Sequence, residues 1–299
     1  MKSIYKIMFS VSVAMVIVSL VILILFGLKL GIDFQGGSII EAEFVNEISD
    51  IDIEEIKSVV LEFPGISDLS INTAGERGII LKMAKIDNET ASALVSDLSQ
   101  KFGELNLDRF DSIEASIGKE LREKSIIAII VLLIAIVIYI SLVFRKMSSV
   151  LSPWSMGIAA IIALAHDIII PIGIFAILSN FFGIEIGSIY VAALLAILGY
   201  SVSDTIVVFD RTRENILKSS KHEDFGGIVH KSILQTLTRS INTTLTTILS
   251  LIAIFFFGGE NIKYFALAII IGISLGAYSS IFVASPLLVW FRREKRKKV

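Results

Sequence analysis

The chain has 299 residues, of which 54% are hydrophobic and only 19% charged, with a net charge of -2 and a mean hydropathy of +0.80. That is too apolar for an ordinary water-facing surface, so an integral membrane protein is expected, with no nucleic acid among its partners. Cysteine is absent, which excludes disulfides and thiol chemistry.

Crossing the hydrocarbon core takes about 20 mostly apolar residues. Six stretches qualify, roughly 7 to 28, 125 to 144, 150 to 178, 187 to 209, 236 to 257 and 263 to 290. All six are expected to be helices, because lipid offers an open backbone no partner. The first lacks a clear small-residue cleavage site before "GLKLGIDFQGG", so it reads as a retained span rather than a signal peptide. Lys2, Lys6, Arg145, Lys146, Arg211, Arg213, Lys218, Lys221, Lys231 and the "RREKRKK" tail lie on one side, and almost no Lys or Arg on the other. By this charge bias both termini are expected in the cytoplasm, with the basic tail 291–299 there and residues 29–124 outside.

The external segment reads in chain order as a folded α+β domain. "SIIEAEF" (38–44) alternates like a strand, and "DIEEIKSVVLEF" (52–63) places Asp52 to cap a helix with Ile53, Ile56, Val59 and Val60 on one face. "ISDLSINT" and "GIILKM" flank "AGERG" as a hairpin; "DNETASALVSDLSQKF" is a second helix and "RFDSIEASIG" a last strand. The order β-α-β-β-α-β is that of a ferredoxin-like unit. It holds no His cluster, no Ser/His/Asp set and no phosphate loop, so contact work is expected of it, with a passive, solvated spacer as the plain alternative.

Ionisable residues inside the spans are few and informative, since each costs at least about 2.5 to 3.5 kcal/mol near a helix centre. Asp204 in span 4 and Arg239 in span 5 fall at similar depth, about 5 to 8 Å inside the boundary, so they are expected to pair. Snorkelling is the alternative for Arg239. Arg239, Asn242, Thr243, Thr246 and Ser250 recur at helical spacing as one polar stripe leading inward, suited to a hydrated path or to interhelical hydrogen bonds. His166 and Asp167 fall near the middle of span 3; about 100° apart on the helix, they need not bond each other. Asp167 is expected to face the bundle interior, and His166 either relays protons or donates a structural hydrogen bond. Asp210 is expected in surface ion pairs, and Gly272, Gly276, Ser280 and Ala284 form a packing ridge in span 6 rather than a site.

"GIDFQGGS" after span 1, "HD" in span 3, "GYSVSDTIVVFDRTREN" across span 4, "LTRSINTTLTT" in span 5, and "FGG" followed by "ISLGAYSSIFVASPLL" at span 6 occur in that order. Together they make the chain similar to the SecD/SecF family of protein-export membrane proteins, within the RND superfamily. The resemblance implies a six-helix RND-like half with a small external domain. It also implies an accessory role in the Sec translocase, no enzymatic reaction, no cofactor or metal, and residence in the bacterial cytoplasmic membrane. Asp204 and Arg239 match family residues implicated in proton conduction, with Asp167, His166, Asn242, Thr243 and Thr246 as further coupling candidates. Asp33, Gly36 and Gly37 belong to the family's external turn motif. The expected partners are SecD, the Sec channel complex, the translocating polypeptide and, at the basic tail, anionic membrane lipid.

Protonation of Asp204 would weaken its attraction to Arg239, let the spans repack and move the external domain. One charge moved through 100 mV is worth about 2.3 kcal/mol, enough to bias a two-state helix arrangement. Protons and sodium ions suit the site equally. A small-molecule exporter of the same superfamily is disfavoured because such proteins join two six-span halves. An intramembrane aspartyl protease would use Asp167 and Asp204 as its two acids, but the residues are "SVSD" where "GxGD" is needed and "SPLL" where "PAL" is needed.

Overall fold

The computed structural model describes residues 2–46, 53–145, 152–219 and 223–292. The expected Asp52 cap, Lys146, Lys221 and residues 293–299 of the basic tail lie outside the described residues. The chain divides into two compact units, Leu30–Ile126 and a helical one formed by Met1–Lys29 with Ile127–Val299.

In the first unit, a short helix α2 (Ile32–Gln35) leads into strand β1 (Gly37–Phe44); helix α3 (Ile53–Glu62), strands β2 (Ser70–Ala74) and β3 (Gly78–Met83), helix α4 (Asn88–Phe102) and strand β4 (Leu105–Ile113) follow. The sheet is antiparallel in the order β2-β3-β1-β4, so the expected β-α-β-β-α-β unit is present. Alternation decides its core: Ile40, Ala42 and Phe44 of β1 and Ile79, Leu81 and Met83 of β3 are buried together with Ile56, Val60, Leu94 and Leu98 of the two helices. Each large side chain so buried contributes about 1.5 to 3 kcal/mol. Asp87 caps α4 by accepting the Thr90 backbone N–H at 2.8 Å, and this bond holds its carboxyl below the usual carboxylate range.

The last strand is corrected by the structure. It ends at Ile113, and Ala115 already begins helix α5 (Ala115–Val143), so "ASIG" is helix rather than strand. The reason is the packing at the entry to β1. Gly36 has φ +81°, and a Cβ there would meet the Ala115 backbone at 2.6 Å; Gly37 has φ +123° and faces the Met83 carbonyl at 2.7 Å. Only glycine fits both demands. A Cβ on Gly118, one turn into α5, would lie 3.0 Å from the Phe34 and Gly36 backbone.

The second unit contains helix α1 (Ser3–Phe26), the later part of α5, and helices α6 (Pro153–Phe182), α7 (Ser188–Lys218), α8 (Phe225–Phe257) and α9 (Glu260–Ser279), the last continuing through a π-turn (Ser280–Ala284) into α10 (Ser285–Trp290). Among the described residues six helical segments are long and apolar enough to cross a membrane, as expected. Their ends differ from the expected ones: α8 begins at Phe225, with Asp224 accepting the Gly227 N–H at 3.1 Å, eleven residues before the apolar run.

The small-residue ridge of α9 packs as expected. A Cβ on Gly276 would lie 2.9 Å from the Ser201 Cβ, and one on Gly272 would overlap Ile197, so α7 and α9 approach to glycine distance. Over the second half of the ridge, Ser280–Ala284, the helix widens, and Pro286 is the cause. Its ring has no N–H and collides with the carbonyl four residues back, so the helix takes a wide turn, and the Ser285 hydroxyl donates to the Ser280 carbonyl at 2.6 Å.

Candidate ion-coupling site in the helix bundle

Both acids sit inside the bundle, and hydroxyl groups rather than cations hold them. Asp204 on α7 is 9% exposed; its Oδ2 accepts from Ser240 of α8 at 2.5 Å and from Ser280 of the π-turn at 2.9 Å. Asp167 on α6 is fully buried, and its Oδ2 accepts from Ser201 of α7 at 2.5 Å and Ser279 of α9 at 2.7 Å. Asp167 Oδ1 lies 2.8 Å from His166 Nδ1, an arrangement in which the ring nitrogen donates to the carboxylate. The neighbours therefore do bond, which their spacing left open: side-chain torsions of two adjacent residues close the gap between their Cβ directions.

His166 is 3% exposed, and its Nε2 has no partner. Its ring stacks on Tyr278, with centroids 6.0 Å apart and planes 20° from parallel. Tyr278 in turn donates its hydroxyl to the Met8 carbonyl of α1 at 2.8 Å and receives Ser12 at 3.2 Å.

The structure does not bring Arg239 to Asp204. The pair expected from their depth is absent, and among the described residues Arg239 has no ion pair at all; it is exposed on α8. Asn242, Thr243, Thr246 and Ser250 share that outward face. The stripe expected to lead inward is thus about a quarter turn away from the one that does, which is Ser232, Thr236, Ser240 and Thr244, four residues apart and all buried. The outward hydroxyls bond their own helix: Thr243 to the Arg239 carbonyl at 2.9 Å, Thr246 to that of Asn242 at 2.9 Å and Ser250 to that of Thr246 at 3.2 Å. For the Arg239 guanidinium and the Asn242 amide there is no such partner among the described residues.

Beyond the buried acids, α7 ends in a charged surface. Asp210 pairs with Arg213 at 2.7 Å, while Arg211 pairs with Glu214 and bonds Gln235 of α8 at 2.7 Å. Among the described residues no group of His, Asp or Glu is arranged to hold a metal ion. Asp33 lies in α2 beside the glycine pair, inside the α+β unit, and has an interaction partner of its own.

Three serines of the acid clusters, Ser201, Ser240 and Ser279, were not singled out by sequence, and the fourth, Ser280, was read as part of the span 6 packing ridge rather than of a site, since serine is an ordinary packing residue in membrane helices. A signal was present for two of them. Ser201 stands one turn before Asp204 on the same helix, and Ser280 continues the four-residue ridge of Gly272 and Gly276.

Two family models match the sequence, the C-terminal region of the protein export membrane proteins SecD/SecF over residues 94–294 and the SecD/SecF GG motif over residues 21–47. The chain is 42% identical to the protein translocase subunit SecF of Thermobaculum terrenum over 290 residues, covering 93% of this chain and 89% of that one. It is 36% identical to the subunit of the same name from Anaerolinea thermophila, covering 95% and 94%. Among solved structures it resembles SecDF, a translocon-associated membrane protein from Thermus thermophilus, with a TM-score of 0.80 and 31% identity over 96% of this chain. That match spans 37% of the SecDF chain, so the likeness concerns little more than a third of it.

Proposed function

The chain belongs to the SecD/SecF family of protein-export membrane proteins, and from that premise we propose that it couples an ion gradient to polypeptide export through Asp204. Its role lies in Sec-mediated protein export as a multi-pass subunit, with SecD as its partner in the translocase. The observation that carries the coupling reading is the environment of Asp204. A carboxylate in a membrane span is expensive, and here only the hydroxyls of Ser240 and Ser280 satisfy it, without a neutralising cation among the described residues. Hydroxyls can donate to the ionised acid and accept from the protonated one, so both charge states can be solvated in place.

The outward stripe of α8 supports the partner. Arg239 and Asn242 are exposed on an apolar span, and lipid satisfies neither; a second polar helix bundle does. Arg239, Asn242, Thr243 and Thr246 then face SecD, and their electrostatic influence reaches Asp204 from that interface rather than by direct pairing. In this reading the chain resides in the bacterial cytoplasmic membrane with both termini inside. The external domain, fixed at its entry by Gly36 and Gly37 beside Asp33, meets the emerging polypeptide, the Sec channel complex delivers it, and the basic tail touches anionic lipid. The chain transmits force and catalyses no covalent step.

The test is preprotein transport into inverted vesicles carrying this chain with SecD, with and without a proton gradient and then a sodium gradient. Wild type and Asp204→Asn are compared at matched membrane levels. The gradient-dependent increment is expected to vanish in the variant while assembly with SecD persists. An unchanged increment would make Asp204 a structural residue.

A further inference from the structure

We propose that Lys29 is where movement of the acid-bearing helices enters the α+β unit: its backbone clips the end of α1 to the connection between α6 and α7. The proposal deepens the reading of Asp204 as the coupling carboxylate and rests on it.

The connection in question joins the two helices that carry the buried acids. α6, with Asp167, ends at Phe182, and α7, with Asp204, begins at Ser188. Lys29 is bonded on both sides of that turn. Its N–H donates to the Ser179 hydroxyl of α6 at 3.0 Å, and its carbonyl accepts the Ile186 N–H at 2.8 Å. Ser179, Ile184 and Ile186 are buried, so the clip has a packed seat, where a polar group that lost its partner would stay unsatisfied. Both bonds use the main chain of Lys29, and any residue with an N–H can make them.

The chain is shaped to reach this seat. α1 stops at Phe26, where Gly27 turns out of the helix with φ +68° while its N–H still donates to the Leu23 carbonyl at 2.9 Å. A Cβ on Gly27 would meet nothing within 4 Å, so the glycine is required by the backbone turn and not by packing. Lys29 follows two residues later, and Leu30 opens the α+β unit.

α1 has a second attachment to α6 nearby, at Gly173, where a Cβ would lie 2.5 Å from the Ser19 Cβ. Gly173 and Ser179 are separated by about 9 Å along α6, so the end of α1 is fixed to that helix at two levels. The other covalent route into the α+β unit lies along α5, which is held differently. Beyond Ile126 the first buried residue of α5 is Ile136, ten residues on, or about 15 Å. A shift of α6 against α7 therefore acts on the α+β unit first through the Lys29–Leu30 bond.

The test uses the absence of cysteine from the chain, with SecD and a preprotein also free of it. The clip is cut by Ser179→Ala with Ile186→Pro, which removes the acceptor for Lys29 and the donor to it. It is made covalent by Lys29→Cys with Ile186→Cys, since residues joined by a backbone hydrogen bond fall within the Cα separation of about 4.4 to 6.8 Å that a disulfide spans. Transport into inverted vesicles is measured with and without the ion gradient at matched levels of the assembled complex. The gradient-dependent increment is expected to be lost in the cut chain and kept in the oxidised cysteine pair. In Ser179→Ala carrying the cysteine pair, the increment is expected to be low when reduced and restored on oxidation, a rescue that a merely structural defect would not show. A cut chain with a full increment, a cysteine pair that does not close on oxidation, or a closed pair that abolishes the increment overturns the proposal. Asp204→Asn is measured alongside. If it loses the increment while the cut chain keeps it, the clip is refuted and the coupling reading stands; if it keeps the increment while the cut chain loses it, the reverse holds.

Discussion

Helices α6 and α8 both carry polar residues through the membrane, and they handle them in opposite ways. Over the most apolar stretch of α6, 56% of the residues are buried inside the chain, against 17% for α8. On α6 the polar atoms of His166 and Asp167 are enclosed: Nδ1 and Oδ1 bond each other, Oδ2 is bonded from α7 and α9, and only Nε2 of the pair has no partner among the described residues. On α8 only one edge is enclosed, while Arg239 and Asn242 have no partner among the described residues. Polarity on a buried helix is explained by what the chain supplies, and polarity on an exposed one by what it lacks. α6 is therefore the axis of the helical unit, and α8 is the helix on which the proposed interface with SecD rests.

The largest effect is expected where α6 meets α1. A Cβ on Gly173 would lie 2.5 Å from the Ser19 Cβ and 2.8 Å from its Cα, so Gly173→Leu has no side-chain movement that relieves it. The cost is expected to reach about 3 kcal/mol or more. Membrane levels and protease resistance of the chain expressed without SecD should collapse. If they do not, α6 is not the axis described here. The α+β domain offers the next largest effect through Gly36→Ala, which combines positive φ with the approach to Ala115 and should cost about 1 to 3 kcal/mol. Its readout is faster proteolysis within residues 30–126 of the full chain, with the helices still inserted.

The contrast between α6 and α8 also explains what the sequence could reveal. Six spans are legible because the bilayer sets a length that few other environments demand. The α+β fold is legible because "SIIEAEF" and "GIILKM" alternate and "AGERG" separates strands that pair. Direction on α8 is not. The same stretch contains a stripe through Arg239 and Thr243 and another through Thr236 and Ser240, and helical spacing selects neither. Hydroxyl count and charge favoured the first, whereas close packing selected the second, because Ser240 is small enough to reach Asp204. The acids themselves were legible from their cost in lipid. Each acid takes its serine ligands from two other helical segments, and a linear pattern contains no information on which helices become neighbours. The end of β4 was lost for a local reason, since "EASIG" suits a strand until Gly118 is required against the Phe34 backbone.

Replacing Asn242 and Thr246 by Leu should separate the two helices' roles with a smaller effect. The chain alone should keep its membrane level, because both side chains are exposed on it. Association with SecD should weaken by about 0.6 kcal/mol for each interhelical hydrogen bond lost, read as reduced co-purification in detergent. Equal loss of the free chain would mean that the stripe supports this subunit's own fold.

Thr243→Val is the smallest change and the sharpest test of what the outward stripe does. Its hydroxyl donates within α8, to the carbonyls of Arg239 at 2.9 Å and Ser240 at 3.0 Å, both of which belong to the helix ladder in any case. Valine keeps the shape and the β-branching, so stability should move by no more than about 0.5 kcal/mol. If the stripe is simply an interface surface, the gradient-dependent export increment should also be unchanged. If it lines a hydrated path, the path loses a hydroxyl one turn from Arg239, and the increment should fall while assembly with SecD is retained. The two outcomes assign the ion route either to the serine-lined acids within the bundle or to the seam between subunits.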